Sequence, residues 1–243
     1  MTHVLETIRR ELLEKADERT RLGSQRFFKE AVQTHGVKSA EVARIAKKAL
    51  KALKAEPKQR IFDLCEELWK SGYLEEGGVA CLMAHAQAKR FAPEDMEIFD
   101  HWLDAYVSNW ASCDTLCNHT VGTLVEQFSE LISRLLSWTG SPNRWKRRAA
   151  AVSLIIPARK GLFPDAVLEI ADALLHDQDD MVQKGYGWML KAASEAHTDA
   201  VFDYLMARKT LMPRTAFRYA LEKLPQEMRN QAMARQSKGT GFL

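Results

Sequence analysis

Apolar residues recur along most of this chain at the spacing expected of amphipathic helices. In one segment they occupy positions i, i+1, i+4, i+5, i+8 and i+9, namely Ile98, Phe99, Trp102, Leu103, Tyr106 and Val107. A second segment is similar, with Leu168, Ile170, Ala171, Leu174 and Leu175. Such positions form one stripe on a helix, and the alternation typical of strands is almost absent. We therefore predict an all-α protein with about a dozen helices.

Glycine and proline residues divide the chain into pieces of helical length. They include Gly36, Pro57, Gly72, Pro93, Gly140 and Pro164. Paired helices with short breaks, at roughly 35 to 40 residues per pair, are typical of a curved α-solenoid of HEAT-like repeats with a concave face. We predict one such domain over residues 1–236 and a flexible tail over 237–243. Because no strict sequence repeat is visible, a compact helical bundle is the alternative.

Composition narrows the class of protein. The chain has 243 residues, of which 46% are hydrophobic, and its net charge of +3 is too small by itself to imply a polyanionic partner. Its four cysteines form no CxxC pair, and no secretion-type apolar stretch follows the charged N-terminus. The longest apolar run, Ala149 to Ile156, is far shorter than the roughly 20 residues that cross a bilayer. We expect a cytoplasmic protein with no membrane partner.

Positive charge is concentrated in three stretches. The first, from Leu131 to Pro164, has no acidic residue and includes Arg144, Lys146, Arg147 and Arg148. The second, from Leu205 to Leu221, is also acid-free and includes Arg214 and Arg218, and the third runs from Gly36 to Arg60. On a solenoid such stretches predict basic patches along a concave groove that binds nucleic acid. The alternative is that each patch is a solvated helix face.

Trp188 is a candidate ligand contact. At 100° per residue, Val182, Tyr186, Met189 and Ala193 form the core stripe of its helix. Trp188 lies more than about 100° from the centre of that stripe, between Lys184 and Lys191. A large indole on a lysine-rich face indicates contact with a ligand. The alternative is that Trp188 packs on a neighbouring repeat.

Two further positions could carry chemistry. Arg144 and Arg148 flank the apolar seam that starts at Trp145, so each guanidinium could clamp a phosphate while its stem packs. An ion pair to a neighbouring helix is the alternative. Trp110 and Asp114 are at i and i+4, which would place an aromatic face beside a carboxylate and could hold a cation. The ordinary alternatives are a core tryptophan and an aspartate at a helix N-terminus.

Motifs of metal and cofactor enzymes are missing from the sequence. Cys113, Cys117 and His119 match no common zinc spacing and lack a fourth ligand. There is no Walker loop, GxGxxG, GxSxG or HExxH. We therefore predict neither a metal nor a cofactor.

Four short segments together resemble the AlkD-like DNA alkylation-repair glycosylases. Their order and separation match the family from about residue 22 to about residue 224. The segments are Phe27-Phe28-Lys29 through Thr34-His35-Gly36-Val37, Ser108-Asn109-Trp110 with Asp114, Trp145-Lys146-Arg147-Arg148-Ala149-Ala150, and Gln183-Lys184-Gly185-Tyr186-Gly187-Trp188.

The resemblance implies a stack of HEAT-like repeats whose concave basic face holds duplex DNA. It places the cleft aspartate at Asp114, the two cleft tryptophans at Trp110 and Trp188, and the cleft arginine at Arg148. Some relatives have a tyrosine at the cleft edge where this chain has Phe27, which puts a hydroxyl contact in doubt. The segment from Met212 to Leu221 also looks like the last repeat of the family, with Arg214 and Arg218 facing the DNA backbone.

The function that the resemblance implies is excision of cationic N3- or N7-alkylated purines from duplex DNA. We also expect the protein to be a monomer. A base that is already cationic needs no general acid, so the carboxylate of Asp114 would stabilise positive charge on the sugar. DNA contacts are predicted for Phe27, Arg144, Lys146, Arg147, Arg148, Lys184, Lys191, Arg214 and Arg218. The alternatives are a non-catalytic HEAT-like DNA-binding protein and a protein-protein scaffold.

Overall fold

The computed structural model describes residues 2–234, which form helices joined by turns and loops, with one isolated β-bridge between Gln33 and Tyr73. The predicted tail over 237–243 lies outside the described residues. The first eight α-helices are α1 Thr2–Glu14, α2 Glu18–Phe27, α3 Ser39–Ala52, α4 Lys58–Trp69, α5 Leu74–His85, α6 Asp95–Ala105, α7 Trp110–Thr115 and α8 Gly122–Gln127. A π-helical turn, Leu116–Val121, joins α7 to α8.

The second half continues in the same way. Its helices are α9 Ile132–Trp138, α10 Arg144–Val152, α11 Ile155–Arg159, α12 Pro164–Ala173, α13 Asp180–Ala193, α14 Thr198–Arg208, α15 Arg214–Leu221 and α16 Gln226–Met233. Two 3₁₀ turns, Ala88–Arg90 and Ser129–Leu131, lie between helices. Within residues 2–234, each helix is too short or too polar to span a bilayer.

Side-chain contacts between successive repeats join residues about 30 to 42 positions apart in the sequence. In five of these pairs the residues are 34, 36 or 37 positions apart, namely Lys58 with Asp95, Arg134 with Glu97, Arg148 with Asp114, Lys160 with Glu126, and Arg208 with Asp172. This separation agrees with the predicted repeat length. The protein is therefore an all-α solenoid of helical repeats, as the sequence predicts.

The predicted apolar stripes form the core. Phe99, Trp102 and Leu103 are fully buried on α6. The helix ends at Ala105, so Tyr106 and Val107 pack from the loop that follows it rather than from the helix. The stripe of α13, namely Val182, Tyr186, Met189 and Ala193, is buried as predicted. Periodicity thus places the core faces correctly.

Two glycines let α13 pack closely against α10 and α15. A Cβ at Gly187 would lie 2.7 Å from the carbonyl oxygen of Ala216 and 2.8 Å from Cβ of Tyr219. A Cβ at Gly185 would lie 3.2 Å from Cγ of Arg148. Since side chains at these positions would push the helices apart, the two glycines set the spacing of the elements that carry the candidate site.

Candidate functional site

A cleft of about 490 Å³ opens between the C-terminal end of α2 and helices α7, α10, α13 and α15. It brings together six of the predicted site residues, Phe27, Trp110, Asp114, Arg148, Lys184 and Trp188. Four further residues line it that the sequence analysis did not assign to the cleft, Lys29, Glu30, Met181 and Tyr219. The cleft is therefore made of residues from both ends of the chain and from its middle.

Asp114 owes its position to the start of α7. Asn109 is the N-cap, and its side-chain oxygen accepts a hydrogen bond of 2.9 Å from the backbone N–H of Ser112. The helix begins at Trp110, so Asp114 lies one turn further on and both side chains line the cleft. The alternative that Asp114 is a capping residue is wrong. The π-helical turn begins two residues after Asp114, a feature often found near functional sites.

Asp114 and Arg148 form a buried ion pair. Arg148 Nε donates to Asp114 Oδ1 at 2.8 Å, and Nη2 donates to Oδ2 at 2.7 Å. Arg148 Nη1 also donates to the carbonyl oxygen of Met181. The residues are only 9% and 4% exposed. The paired geometry fixes the carboxylate in one orientation relative to the cleft.

The ion pair and its burial shift the pKa of Asp114 in opposite directions. Burial raises the pKa of Asp114 above its ordinary value, while the hydrogen bonds and charge of Arg148 oppose that rise. Arg148 stays protonated, since pairing with Asp114 outweighs its own burial and raises the pKa of the guanidinium. The alternative of an interhelical ion pair therefore holds for Arg148, because α10 places its guanidinium against α7, and the phosphate contact of Arg148 stays a prediction.

Aromatic side chains form one wall of the cleft. The ring of Phe28 stacks on Trp110 with centroids 5.4 Å apart, and Phe27 meets the same indole edge-on at 5.5 Å. Phe27 is 69% exposed. Trp188 lines the cleft from α13 and is partly buried against the core. The indole therefore packs on the core, as the alternative predicts, and it also lines the cleft, where its contact with a ligand stays a prediction.

The acid-free stretch from Leu131 to Pro164 is neutralised by carboxylates from other parts of the chain. Each of its seven basic residues has such a partner: Arg134 pairs with Glu97 and Asp100, Arg144 with Asp179 and Glu30, Lys146 with Asp100 and Asp104, Arg147 with Asp177, Arg148 with Asp114, Arg159 with Glu195, and Lys160 with Glu126. The prediction of a positive field of one sign over this stretch is therefore wrong. Neighbouring repeats supply the missing acids.

The remaining predicted DNA contacts differ in their pairing. Lys184 pairs with Asp180 on the same helix at 2.6 Å, and Lys191 pairs with Glu222. Arg214 and Arg218 form no ion pair with any residue between 2 and 234. Both lie on α15, the helix whose Tyr219 lines the cleft. Among these four residues, the charge without a carboxylate partner is thus on α15.

The cysteines of the sequence motif are enclosed. Cys113 and Cys117 are fully buried, and burial raises the pKa of the Cys113 thiol well above its ordinary value. His119 is exposed on the π-helical turn. Over the described range, no three His, Cys, Asp or Glu side chains are grouped so that they could hold a metal ion.

Comparison with known proteins defines the class. The model of a family described as DNA alkylation repair enzyme matches residues 8–224, so the chain belongs to that family. The fold is similar to a solved structure described as a predicted DNA alkylation repair enzyme from Enterococcus faecalis. That similarity has a TM-score of 0.78 and 19% sequence identity, and it covers 87% of this chain and 98% of that one. No curated protein matches the chain in sequence.

Proposed function

We propose that this protein is a DNA glycosylase that excises cationic N3- and N7-alkylated purines from duplex DNA. The observation that carries the proposal is the buried carboxylate of Asp114, held by Arg148 in a cleft lined by two tryptophans. A fixed negative charge beside aromatic faces suits a substrate on which positive charge develops. Family membership supports DNA as the substrate.

The proposed reaction is hydrolysis of the bond between the base and the deoxyribose. Alkylation makes the purine cationic, so the electron pair of the breaking bond neutralises the leaving base and no general acid is required. Positive charge builds on the sugar, and Asp114 stabilises it. The water oxygen bonds to the sugar carbon, and its proton passes to Asp114, whose carboxylate oxygens keep lone pairs beyond those used by Arg148.

The aromatic residues would hold the damaged nucleotide. Trp110 and Trp188 are proposed to pack against its sugar and add a cation-π attraction that grows in the transition state. Phe27 would contact the backbone from the cleft edge. Arg148 is proposed to orient Asp114 and to touch a phosphate with N–H groups not used by Asp114 or Met181.

Affinity for the DNA backbone is assigned first to α15. Arg214 and Arg218 have no carboxylate partner among residues 2–234, whereas phosphates would compete with carboxylates for Arg144, Lys146, Arg147, Lys184 and Lys191. Charge reversal in Arg218→Glu should weaken binding to damaged and undamaged duplexes alike, since phosphate contacts carry no base information. Arg10→Glu, at an exposed position on α1 that does not line the cleft and is not a predicted DNA contact, is the matched control for the charge change. A flat dependence of affinity on salt would remove DNA as the ligand.

A non-catalytic DNA-binding protein is the second candidate, and one observation favours it. Both carboxylate oxygens of Asp114 accept hydrogen bonds from Arg148, as they would in a purely structural ion pair. Incubation with methylated duplex DNA, followed by a count of alkali-labile abasic sites, decides between the candidates. Excision supports the glycosylase; salt-sensitive binding without excision supports the binding protein. In either case we propose a monomer located in the cytoplasm and nucleoid.

A further inference from the structure

The N-terminal wall of the cleft is carried by a segment without helix. Residues 28–38, which we call the cleft arm, connect α2 to α3. Lys29 and Glu30 of the arm line the cleft, and so does Phe27 immediately before it. Because backbone hydrogen bonds of a helix do not hold the arm in place, its position depends on contacts with other elements.

The far end of the arm is fastened by the buried carboxylate of Glu75, which is 5% exposed at the start of α5. Oε1 accepts hydrogen bonds from the hydroxyl of Thr34 at 2.6 Å and from the backbone N–H groups of Gly36 at 2.8 Å and Val37 at 3.0 Å. Oε2 accepts one from the N–H of His35 at 3.0 Å. These four donors belong to the Thr34-His35-Gly36-Val37 motif, which has no other assigned role.

The charge of Glu75 is stabilised by these donors and by its own backbone N–H, and no Lys, Arg or His side chain in residues 2–234 forms an ion pair with it. Burial opposes its ionisation, yet the hydrogen bonds from Thr34, Val37 and His35 outweigh burial and lower its pKa. A buried charge that depends on four donors in one short motif holds that motif strongly, because each donor lost leaves the charge less solvated.

Neighbouring contacts extend this attachment to α2. The carbonyl oxygen of Gln33 accepts a 2.8 Å hydrogen bond from the N–H of Leu74, and the ring of His35 stacks on Tyr73 at 3.8 Å. Gly36 has φ +82°, and a Cβ there would lie 2.6 Å from the backbone nitrogen of Arg21. The first turn of α2 therefore rests directly on the fastened motif.

The other end of the arm is held more weakly. Glu30 meets Arg144 at 3.5 Å, and their side chains are 22% and 38% exposed. A partly exposed pair at that distance contributes little. Phe28 adds its stacking on Trp110. The hydrogen bonds to Glu75 are thus the principal attachment of the cleft wall.

We propose that Glu75 is a positioning residue for the cleft: through Thr34, His35, Gly36 and Val37 it sets where Phe27 and Lys29 meet the DNA. The inference rests on the proposed function for its DNA ligand. The proposal predicts that loss of Glu75 moves the cleft arm and leaves the ion pair between Asp114 and Arg148 unchanged.

The test compares Glu75→Gln with Glu66→Gln in the full chain. Glu66 is a matched control because its carboxylate also accepts several hydrogen bonds, from Trp102 Nε1 at 3.0 Å and Tyr106 Oη at 2.9 Å, but it joins α4 to α6 and does not line the cleft. Trypsin cleavage after Arg26 and Lys29 should be about tenfold faster in Glu75→Gln and unchanged in Glu66→Gln. Equal rates in the two variants would overturn the proposal.

A second measurement links the arm to DNA. The duplex concentration that half-saturates the protein should rise about tenfold in Glu75→Gln, whereas the single-turnover excision rate at saturation should stay within about twofold of wild type. Thr34→Ser should behave as wild type, because it keeps the hydroxyl, and Thr34→Val should resemble Glu75→Gln. A fall in the saturated rate with unchanged half-saturation would contradict a positioning role.

The two proposals can fail separately. If the wild-type protein excises no base, the proposed function is wrong, but trypsin cleavage and DNA binding still decide the role of Glu75. If wild type excises and Glu75→Gln shows normal cleavage and binding, the positioning role alone is wrong.

Discussion

Replacing Asp114 by asparagine separates the chemical role of its charge from its structural role. The amide keeps the shape of the side chain but presents an NH₂ group where an oxygen now accepts from Arg148. Arg148 is 4% exposed, so its charge would be left buried without a counter-charge. Removing one partner of a buried ion pair typically costs about 3–5 kcal/mol. We expect a loss of that size in the free energy of unfolding, measured by urea denaturation.

The same substitution should slow excision. Loss of one preorganised charge at a reacting centre typically costs on the order of 10² to 10³ in rate. Single-turnover excision of 7-methylguanine from a duplex oligonucleotide should fall by about that factor at a temperature where circular dichroism shows the variant to be folded. Affinity for DNA should hold or rise, because a carboxylate that repels phosphate has been removed.

Asp177→Asn is the matched control. Asp177 also pairs with an arginine of α10, since Arg147 Nε meets Asp177 Oδ2 at 2.6 Å, and its side chain is only 8% exposed. It does not line the cleft. We expect this variant to lose stability and to excise within about twofold of wild type. If Asp177→Asn slows excision as much as Asp114→Asn does, the loss reflects folding and the catalytic role of Asp114 is refuted.

A double variant removes the remaining ambiguity. Asp114→Asn with Arg148→Met takes away both charges, so the unpaired buried cation disappears and most of the lost stability should return. Excision should stay low, because the charge that faces the sugar is still missing. Wild-type excision by the folded Asp114→Asn protein would mean that the aspartate only holds helices together.

Three further predictions address the cleft. Trp145→Ala should lower the free energy of unfolding by about 3 to 5 kcal/mol, since Trp145 is 6% exposed. Trp188 is partly exposed, so Trp188→Ala should lower the free energy of unfolding less but slow excision more. Gly187→Ala should lower the melting temperature and slow excision, because the new Cβ forces α15 and its Tyr219 away from α13. In the control Gly23→Ala no atom lies within 4 Å of the new Cβ, so the free energy of unfolding should rise by up to about 1 kcal/mol through the stability of α2. Burial raises the pKa of Asp114, and the ionised form is the active one. The excision rate, corrected for spontaneous loss of the alkylated base, should therefore decline with falling pH at a pH above about 3.9, the ordinary aspartate pKa. A decline only below that pH would contradict the assignment.

Periodicity is what made the fold predictable. Helix faces depend on local spacing, and the buried stripes on α6 and α13 follow from it directly. The positions of helix ends depend less on this local spacing. Helix α6 ends at Ala105, although its apolar pattern continues through Val107. The cap at Asn109 begins a new helix there, and its carboxamide could have marked that boundary.

The candidate site was predictable where one helix face carries it. Trp110 and Asp114 are one turn apart, so their meeting follows from helical spacing. Glu30 and Tyr219 come from opposite ends of the chain, and only the folded arrangement of the helices brings them into one cleft. Gly185 and Gly187 were visible as a motif, but their effect depends on the approach of Arg148 and Tyr219.

Charge was the least predictable property, and the reason lies in the repeat. In a solenoid each helix packs on helices about 35 residues away, so a window of sequence that lacks acids still meets the acids of its neighbours. Arg147 finds Asp177 and Lys160 finds Glu126 in this way. Counting charges within a stretch of sequence therefore overestimates the positive electrostatic field over the middle of this protein. Because a phosphate must compete with an internal carboxylate at each of those sites, salt-dependent affinity should follow the cations without such partners, above all Arg214 and Arg218.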